Sequence, residues 1–299
     1  MIVSASRRTD IPAFFADWFF RRMAEGYALT RNPYRPEQII RIDLRHPSGI
    51  VFWTKNPEPM LDRLHELGDI PFYFQFTLTS YAADIERHLP TKRGTLFGVF
   101  ERLAKLIGPE RIIWRYDPVF IHGRYDMDWH KRYFGVIAER LSGMSRKCVF
   151  SFIDPYDNNA VGFPKLRAPN EEEMRVLGQV FLEHGRKHGF SLATCAESID
   201  LPGIGKSACV DAELLSRIAG KKIVGGKDSA QRKACGCAKS KDIGKYGTCR
   251  NGCIYCYAAK GRPETYDPTS PFLLDHLLPG EVVPEEKDNR ILLPGMERV

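Results

Sequence analysis

Ile50-Val51-Phe52-Trp53-Thr54-Lys55-Asn56-Pro57 is a short apolar run that breaks off into polar residues and a proline. Four apolar residues in a row read as a strand buried on both faces, and the polar end marks where that strand leaves the core. The same unit recurs on either side. Upstream, Ile2-Val3-Ser4-Ala5 runs into Arg7, Arg8, Thr9 and Asp10. Downstream, the apolar stretch 72–77 is followed by Thr79, and 112–115 by Tyr116, Asp117 and Pro118. The stretch 148–153 gives way to Asp154, Pro155 and Asp157, and 190–194 to Cys195, Ala196 and Glu197. Helical spacing fills the gaps and predicts helices over about 10–26, 57–67, 81–107 and 127–141, and one opening at Asn170. Asp10 is the expected N-cap of the first, with Pro12 in its first turn and Gly26 at its end. Glu171, Glu172 and Glu173 suit the first turn of the last, whose inner stripe is Met174, Leu177 and Phe181. A minor strand is expected over 39–43.

Six strands alternating with helices predict an α/β protein built on a parallel sheet with covered faces. The expected architecture is a parallel-stranded partial (β/α)6 TIM-like barrel over residues 1–200. Residues 201–299 form a cysteine-rich extension and tail, packed over the barrel mouth as one unit with it. An open doubly wound sheet also fits the alternation. In both folds function collects at the C-terminal ends of the strands, which is where these polar residues fall. No Gly-x-Gly-x-x-Gly turn follows any strand, which argues against a dinucleotide site. After Glu197 only 212–218 reads as a short helix, and Leu273, Leu274, Leu277 and Leu278 are candidates to anchor the tail.

The composition, 43% hydrophobic and 27% charged, is that of a globular protein. No apolar run is long enough to cross a bilayer, and the N-terminus reads as a strand rather than a signal peptide. The expected location is the cytoplasm, with no membrane partner. In that reducing compartment clustered cysteines favour metal over disulfides. The net charge of +7 is unevenly distributed, with thirteen Lys/Arg against four Asp/Glu over 206–262 and a small acidic excess elsewhere. Cations there offset thiolate charge or attract an anionic small molecule. The alternative is a nucleic-acid footprint.

Eight cysteines carry the chemistry. Cys249, Cys253 and Cys256 make a C-x3-C-x2-C loop with Tyr255 before the last thiol. Three thiolates in one loop can hold three corners of a four-iron, four-sulfur (4Fe-4S) cluster and leave one iron open. The plainer reading is a structural zinc loop. Cys195, Cys209, Cys235 and Cys237 form a second set, suited to a second, fully ligated 4Fe-4S cluster or, in part, to ordinary burial. Cys148 reads as core. Glu197 and Asp117 are candidate acids or bases, or grips for a cofactor amine. Lys55 and Arg115 are candidates to hold a carboxylate or phosphate. His122, His130, His184 and His188 read as surface or helix residues.

At Lys227, Asp228, Gln231, Arg232, Cys235-Gly-Cys237, Asp242-Ile-Gly244, Tyr246 and Cys249 through Ala258, the chain resembles the family called domain of unknown function 1848. The resemblance extends to Arg7-Arg8-Thr9-Asp10. That family's C-terminal cysteine cluster is similar to the cluster of radical S-adenosylmethionine (SAM) enzymes, and Thr54-Lys55-Asn56-Pro57 is similar to segments of the spore photoproduct lyase group. The resemblance implies that Cys249, Cys253 and Cys256 bind a cluster whose open iron takes SAM. It further implies a deoxyadenosyl radical and a reductant such as flavodoxin or ferredoxin; from the strand-end residues themselves, a small-molecule or anionic substrate is expected among Arg8, Asp10, Lys55, Arg115 and Asp117. In this chain the motif follows the barrel-like region instead of opening it, and no Gly-Gly-Glu segment comes after it. Two other classes remain: a zinc-stabilised nucleic-acid-binding protein, and an iron–sulfur protein without SAM chemistry, acting in electron transfer or as a Lewis acid.

Overall fold

The computed structural model describes residues 1–154, 166–259 and 265–284. Asp157 and the end of the tail lie outside the described residues. All six expected strands are present: β1 (Ile2–Ala5), β4 (Gly49–Thr54), β5 (Phe72–Thr77), β6 (Ile112–Val119), β7 (Lys147–Phe152) and β8 (Ser191–Cys195). Each pairs in parallel with the next, in chain order. The late segment adds two more parallel strands at opposite edges. β9 (Gly205–Ser207) lies beside β8, and β10 (Ser240–Asp242) beside β1. The result is one eight-stranded parallel sheet.

Helices α1 (Ile11–Phe14), α2 (Ala16–Glu25), α3 (Phe97–Ile107), α4 (Met127–Arg140) and α5 (Glu171–His188) connect the strands. Right-handed crossovers between strands in sequential order gather the connecting helices on one face. The packing fits this. Phe52, Phe74, Trp114 and Phe150, at alternate strand positions, join Phe19, Phe100, Phe134 and Phe181 from the helices in one core. The residues that point the other way, Val51, Tyr73, Ile113, Val149 and Ala193, meet Cys209, Val210, Leu215, Cys235 and Cys237. Helix α6 (Ala212–Ala219) lies in this late segment. The cysteine-rich stretch therefore covers the face of the sheet opposite the helices, its inner face, as well as extending its edges.

Several expectations are refined. The first helix is broken at Phe15, although Asp10 caps it as expected, accepting from Ala13 N at 3.1 Å. The segment Glu58–Leu67 is a 3₁₀ helix. Asn170 and Glu173 form a full capping box on α5. The minor strand is the second arm of an antiparallel hairpin, β2 (Tyr27–Asn32) and β3 (Arg35–Asp43). The long helix expected over 81–107 is a correction: regular α-helix starts only at Phe97, after a single π-type turn over Lys92–Leu96. Pro90 explains this, since it lacks an amide hydrogen and biases Leu89 away from helix. In the tail Leu273 and Leu274 are buried, while Leu277 and Leu278 are exposed.

Candidate functional site

The C-x3-C-x2-C loop is fastened to the C-terminal ends of the first strands. Asp10 is the fastener. Its Oδ2 accepts from Lys55 N at 2.8 Å, just past β4, and from Asn251 Nδ2 at 2.9 Å, inside the cysteine loop. Its Oδ1 caps α1. Burial pushes the Asp10 carboxyl above its ordinary range, against four hydrogen bonds that favour the charged form. On the other side the loop lies along residues 82–88, with Ile254 N donating to Ile85 O at 3.0 Å and His88 N to Asn251 O at 3.1 Å. Gly252 makes this approach possible. Its φ is +66°, and a Cβ there would come within 2.8 Å of the His88 ring.

Glu86 is the centre of the polar network beneath the loop. It is 2% exposed. Its carboxylate takes Lys55 Nζ and Lys92 Nζ at 2.7 Å each, Thr79 Oγ1 at 2.9 Å and Tyr255 OH at 2.6 Å. Burial opposes its charge, but the two ammonium groups prevail and hold its pKa at about 2. Burial likewise opposes the charge on Lys55, yet Glu86, Cys253 and Cys256 raise its pKa above the ordinary lysine value. Lys55 also lies 5.5 Å from the centre of the Tyr255 ring. Cys253 is buried, and Cys249 and Cys256 are half-buried. Burial pushes Cys249 and Cys253 up to about 12; Asp10 adds to this at Cys249, and Lys55 counters it at Cys253. Desolvated thiols of this kind ionise when a metal or another cation neutralises them.

Arg115, Asp117 and Glu197 belong to a second centre on the inner face. Arg115 Nη1 donates to Cys209 Sγ at 3.0 Å, and its Nε to Asp117 Oδ2 at 3.2 Å. Asp117 also accepts from Ser151 Oγ. Burial works against the Asp117 carboxylate, but Arg115, Ser151 and the more distant Lys55 together lower its pKa. Cys195 Sγ stands 3.0 Å from Cys209 Sγ, and Cys237 Sγ accepts from Cys209 N at 3.2 Å. Tyr73 OH and Gln75 Nε2 pin the Cys209 carbonyl at 2.6 and 3.0 Å. Glu197 accepts from Phe152 N at 2.8 Å and so ties β8 to β7; burial raises its pKa.

The residues read from the sequence thus divide into two sets. Asp10, Lys55 and Tyr255 accompany Cys249, Cys253 and Cys256. Arg115, Asp117 and Glu197 accompany Cys195, Cys209, Cys235 and Cys237. Arg8 stands apart from both, over the Tyr246 ring at 5.4 Å and 3.9 Å from Asp242. Among the described residues, no three His, Cys, Asp or Glu side chains are grouped so as to hold a metal ion as they stand. Glu86 and Lys92 are the residues that sequence reasoning missed. A single helix over 81–107 gives them no distinct place, and Pro90 is the signal against that helix. Cys148 is core, as expected. His130 lies in α4 but, contrary to a surface reading, is fully buried, bonded to Tyr116 OH at 2.9 Å and Phe120 O at 2.8 Å. No helix among the described residues is long and apolar enough to cross a membrane.

The chain belongs to the family described as domain of unknown function (DUF1848), which matches residues 2–258. The matched span runs from β1 to just beyond Cys256 and includes both cysteine groups. No curated protein matches the chain.

Proposed function

We propose that this member of the family is an iron–sulfur enzyme of the radical SAM kind, with its sheet curled as a partial (β/α) barrel and its cysteine loop at the mouth. Cys249, Cys253 and Cys256 would hold a 4Fe-4S cluster. The observation that carries this reading is the attachment of a three-thiol loop to the C-terminal strand ends through Asp10 and Glu86, with Lys55 beside two of the thiols. Parallel α/β folds place their chemistry at that edge. The donor set fits a cluster. Three soft sulfur ligands lie in one short loop with flexible glycine, and a fixed cation offsets part of their negative charge.

When bound, such a cluster supplies one electron and, through SAM, a carbon radical that takes hydrogen from substrate. The chain's own side chains do the rest. Asn251, held by Asp10, sets the path of the loop between the first and second thiols. Glu86 fixes the direction of Lys55, so that the ammonium faces the loop and not solvent. Tyr81 and Phe120 back the loop with ring centres 5.9 and 5.8 Å from that of Tyr255 and keep water from that side. The substrate class is a small, anionic molecule, consistent with the cationic character of the late segment.

The test is to prepare the full chain without oxygen, reduce it and add SAM. Formation of 5′-deoxyadenosine, with iron and acid-labile sulfide in the protein, is the expected result. An intact cluster that makes no deoxyadenosine, beside a known enzyme that does, would overturn the SAM step and leave electron transfer or Lewis-acid chemistry. A colourless protein with zinc in the Cys249–Cys256 loop would instead favour the nucleic-acid-binding alternative.

A further inference from the structure

Cys195, Cys209, Cys235 and Cys237 have no part in the function proposed above. They come from three separated segments: the end of β8, the turn before α6, and the stretch before β10. They nevertheless converge in one cluster on the sheet face opposite the helices. The sulfurs of Cys195 and Cys209 are 3.0 Å apart, Cys237 Sγ accepts from the backbone N–H of Cys209 at 3.2 Å, and Cys235 packs in the same buried cluster. Cys209, Cys235 and Cys237 are buried and Cys195 half-buried, and none of the four is in a disulfide.

The donors around these sulfurs are the second observation. The backbone N–H groups of Cys209 and Val210 donate to Cys237 Sγ at 3.2 and 3.5 Å. The guanidinium of Arg115, a residue only 5% exposed, donates to Cys209 Sγ at 3.0 Å. A neutral thiol is a weak acceptor and gives little return for a buried cation. A thiolate bound to metal is a good acceptor, and donors of this kind are the usual outer partners of metal ligands. Asp117 takes the Nε side of the same guanidinium, which leaves Nη1 directed at the sulfur.

We infer that Cys195, Cys209, Cys235 and Cys237 bind a single tetrahedral metal ion of the zinc class, a structural centre separate from the iron–sulfur loop. Spacing decides between one ion and a second cluster. With metal–sulfur bonds of about 2.3 Å, the sulfurs of a tetrahedral site stand about 3.8 Å apart. A 4Fe-4S cluster binds each thiolate on a different iron and spreads them further. The 3.0 Å between the Cys195 and Cys209 sulfurs lies on the side of the smaller spacing. The thiols are not arranged as a ligand sphere; uptake of a divalent ion replaces their four S–H bonds with metal–sulfur bonds and releases four protons to solvent. The site then carries two negative charges, with the Arg115 guanidinium, shared with Asp117, directed at one of its sulfurs. Because its ligands flank both β9 and β10, the ion would lock the late segment onto the inner face of the sheet.

The test is metal and sulfide analysis of full-length protein prepared without oxygen or chelators. About one zinc per chain is expected. Cys237→Ala should lower bound zinc at least tenfold and leave the iron and sulfide of the other loop in place. The triple variant Cys249→Ala/Cys253→Ala/Cys256→Ala should lose iron and keep zinc. If Cys237→Ala does not fold, cobalt(II) added to the metal-free triple variant gives an independent answer. Intense tetrahedral thiolate–cobalt absorption at one equivalent supports the site, and its absence overturns it. Iron and sulfide that disappear with Cys237, in place of zinc, would mean a second cluster and would also overturn it. Failure of the iron–sulfur loop alone would appear as missing iron with zinc unchanged, so the two readings fail separately.

Discussion

The two cysteine groups are gathered in different ways. Cys249, Cys253 and Cys256 share one eight-residue loop, and the fold has only to place that loop at the strand ends. Cys195, Cys209, Cys235 and Cys237 become neighbours only when three distant segments meet on the inner face. The cations differ in the same way. Lys55 reaches the first group through Glu86 and acts as a point charge near the loop, whereas Arg115 makes a directed bond to a sulfur of the second. Local ligands with an open side suit exchange of an outside molecule. Ligands drawn from across the chain suit a fixed centre whose integrity depends on the whole fold.

The sharpest way to separate the groups is to remove one thiol. Cys253→Ala is expected to lower bound iron at least tenfold while the far-UV spectrum stays native; iron retained in full would show that the ligand assignment is wrong. Next in size is Glu86→Ala. It strands Lys55 and Lys92 in a buried site and should cost about 3–5 kcal/mol in urea unfolding, because an uncompensated buried charge is left behind. Glu86→Gln should fall between the variant and the parent.

The third prediction concerns pH. His130 lies beneath the aromatic cluster that backs the first group, its ring centre 5.8 Å from that of Tyr81. Burial lowers its pKa to about 4 from the ordinary 6.5, against the Phe120 carbonyl and Asp126, which favour the proton. The folded state therefore binds this proton less readily than the unfolded chain. Its contribution is complete above pH 6.5 and is lost as pH falls toward 4, by about 3 kcal/mol in all. His130→Gln should flatten the stability profile across that window; an unchanged slope would remove His130 as the cause. The smallest effect is expected for Asn251→Ala, about 1–2 kcal/mol from one buried hydrogen bond. In metal-free protein it should speed alkylation of Cys249 and Cys253 several-fold over that of Cys209 and Cys237, as read by mass spectrometry. Equal rates would mean that the Asp10 tie does not order the loop.

Much of the sheet was legible because the central strands are buried on both faces and therefore written as mostly apolar runs, unbroken in 50–53 and 72–74. β9 and β10 were not legible, since three residues at an edge, Gly-Lys-Ser and Ser-Lys-Asp, carry no apolar pattern. The local cysteine loop and the Asp10 cap could be read from spacing. Glu86 could not, because its meaning comes from Lys55 thirty-one residues earlier and Tyr255 far later. The division of Lys55 and Arg115 between two centres is likewise a product of tertiary packing, to which sequence spacing is blind.

The placement of β9 and β10 has a consequence during synthesis. A nascent chain that has emerged only as far as β8 has its six central strands but neither flanking one, so both margins of the sheet present unpaired amides and carbonyls, and its inner face is bare. Such margins recruit strands from other molecules. A fragment stopping near residue 200 should therefore aggregate rather than accumulate as a domain, and on polysomes the growing protein should engage chaperones until residues up to 242 have left the exit tunnel.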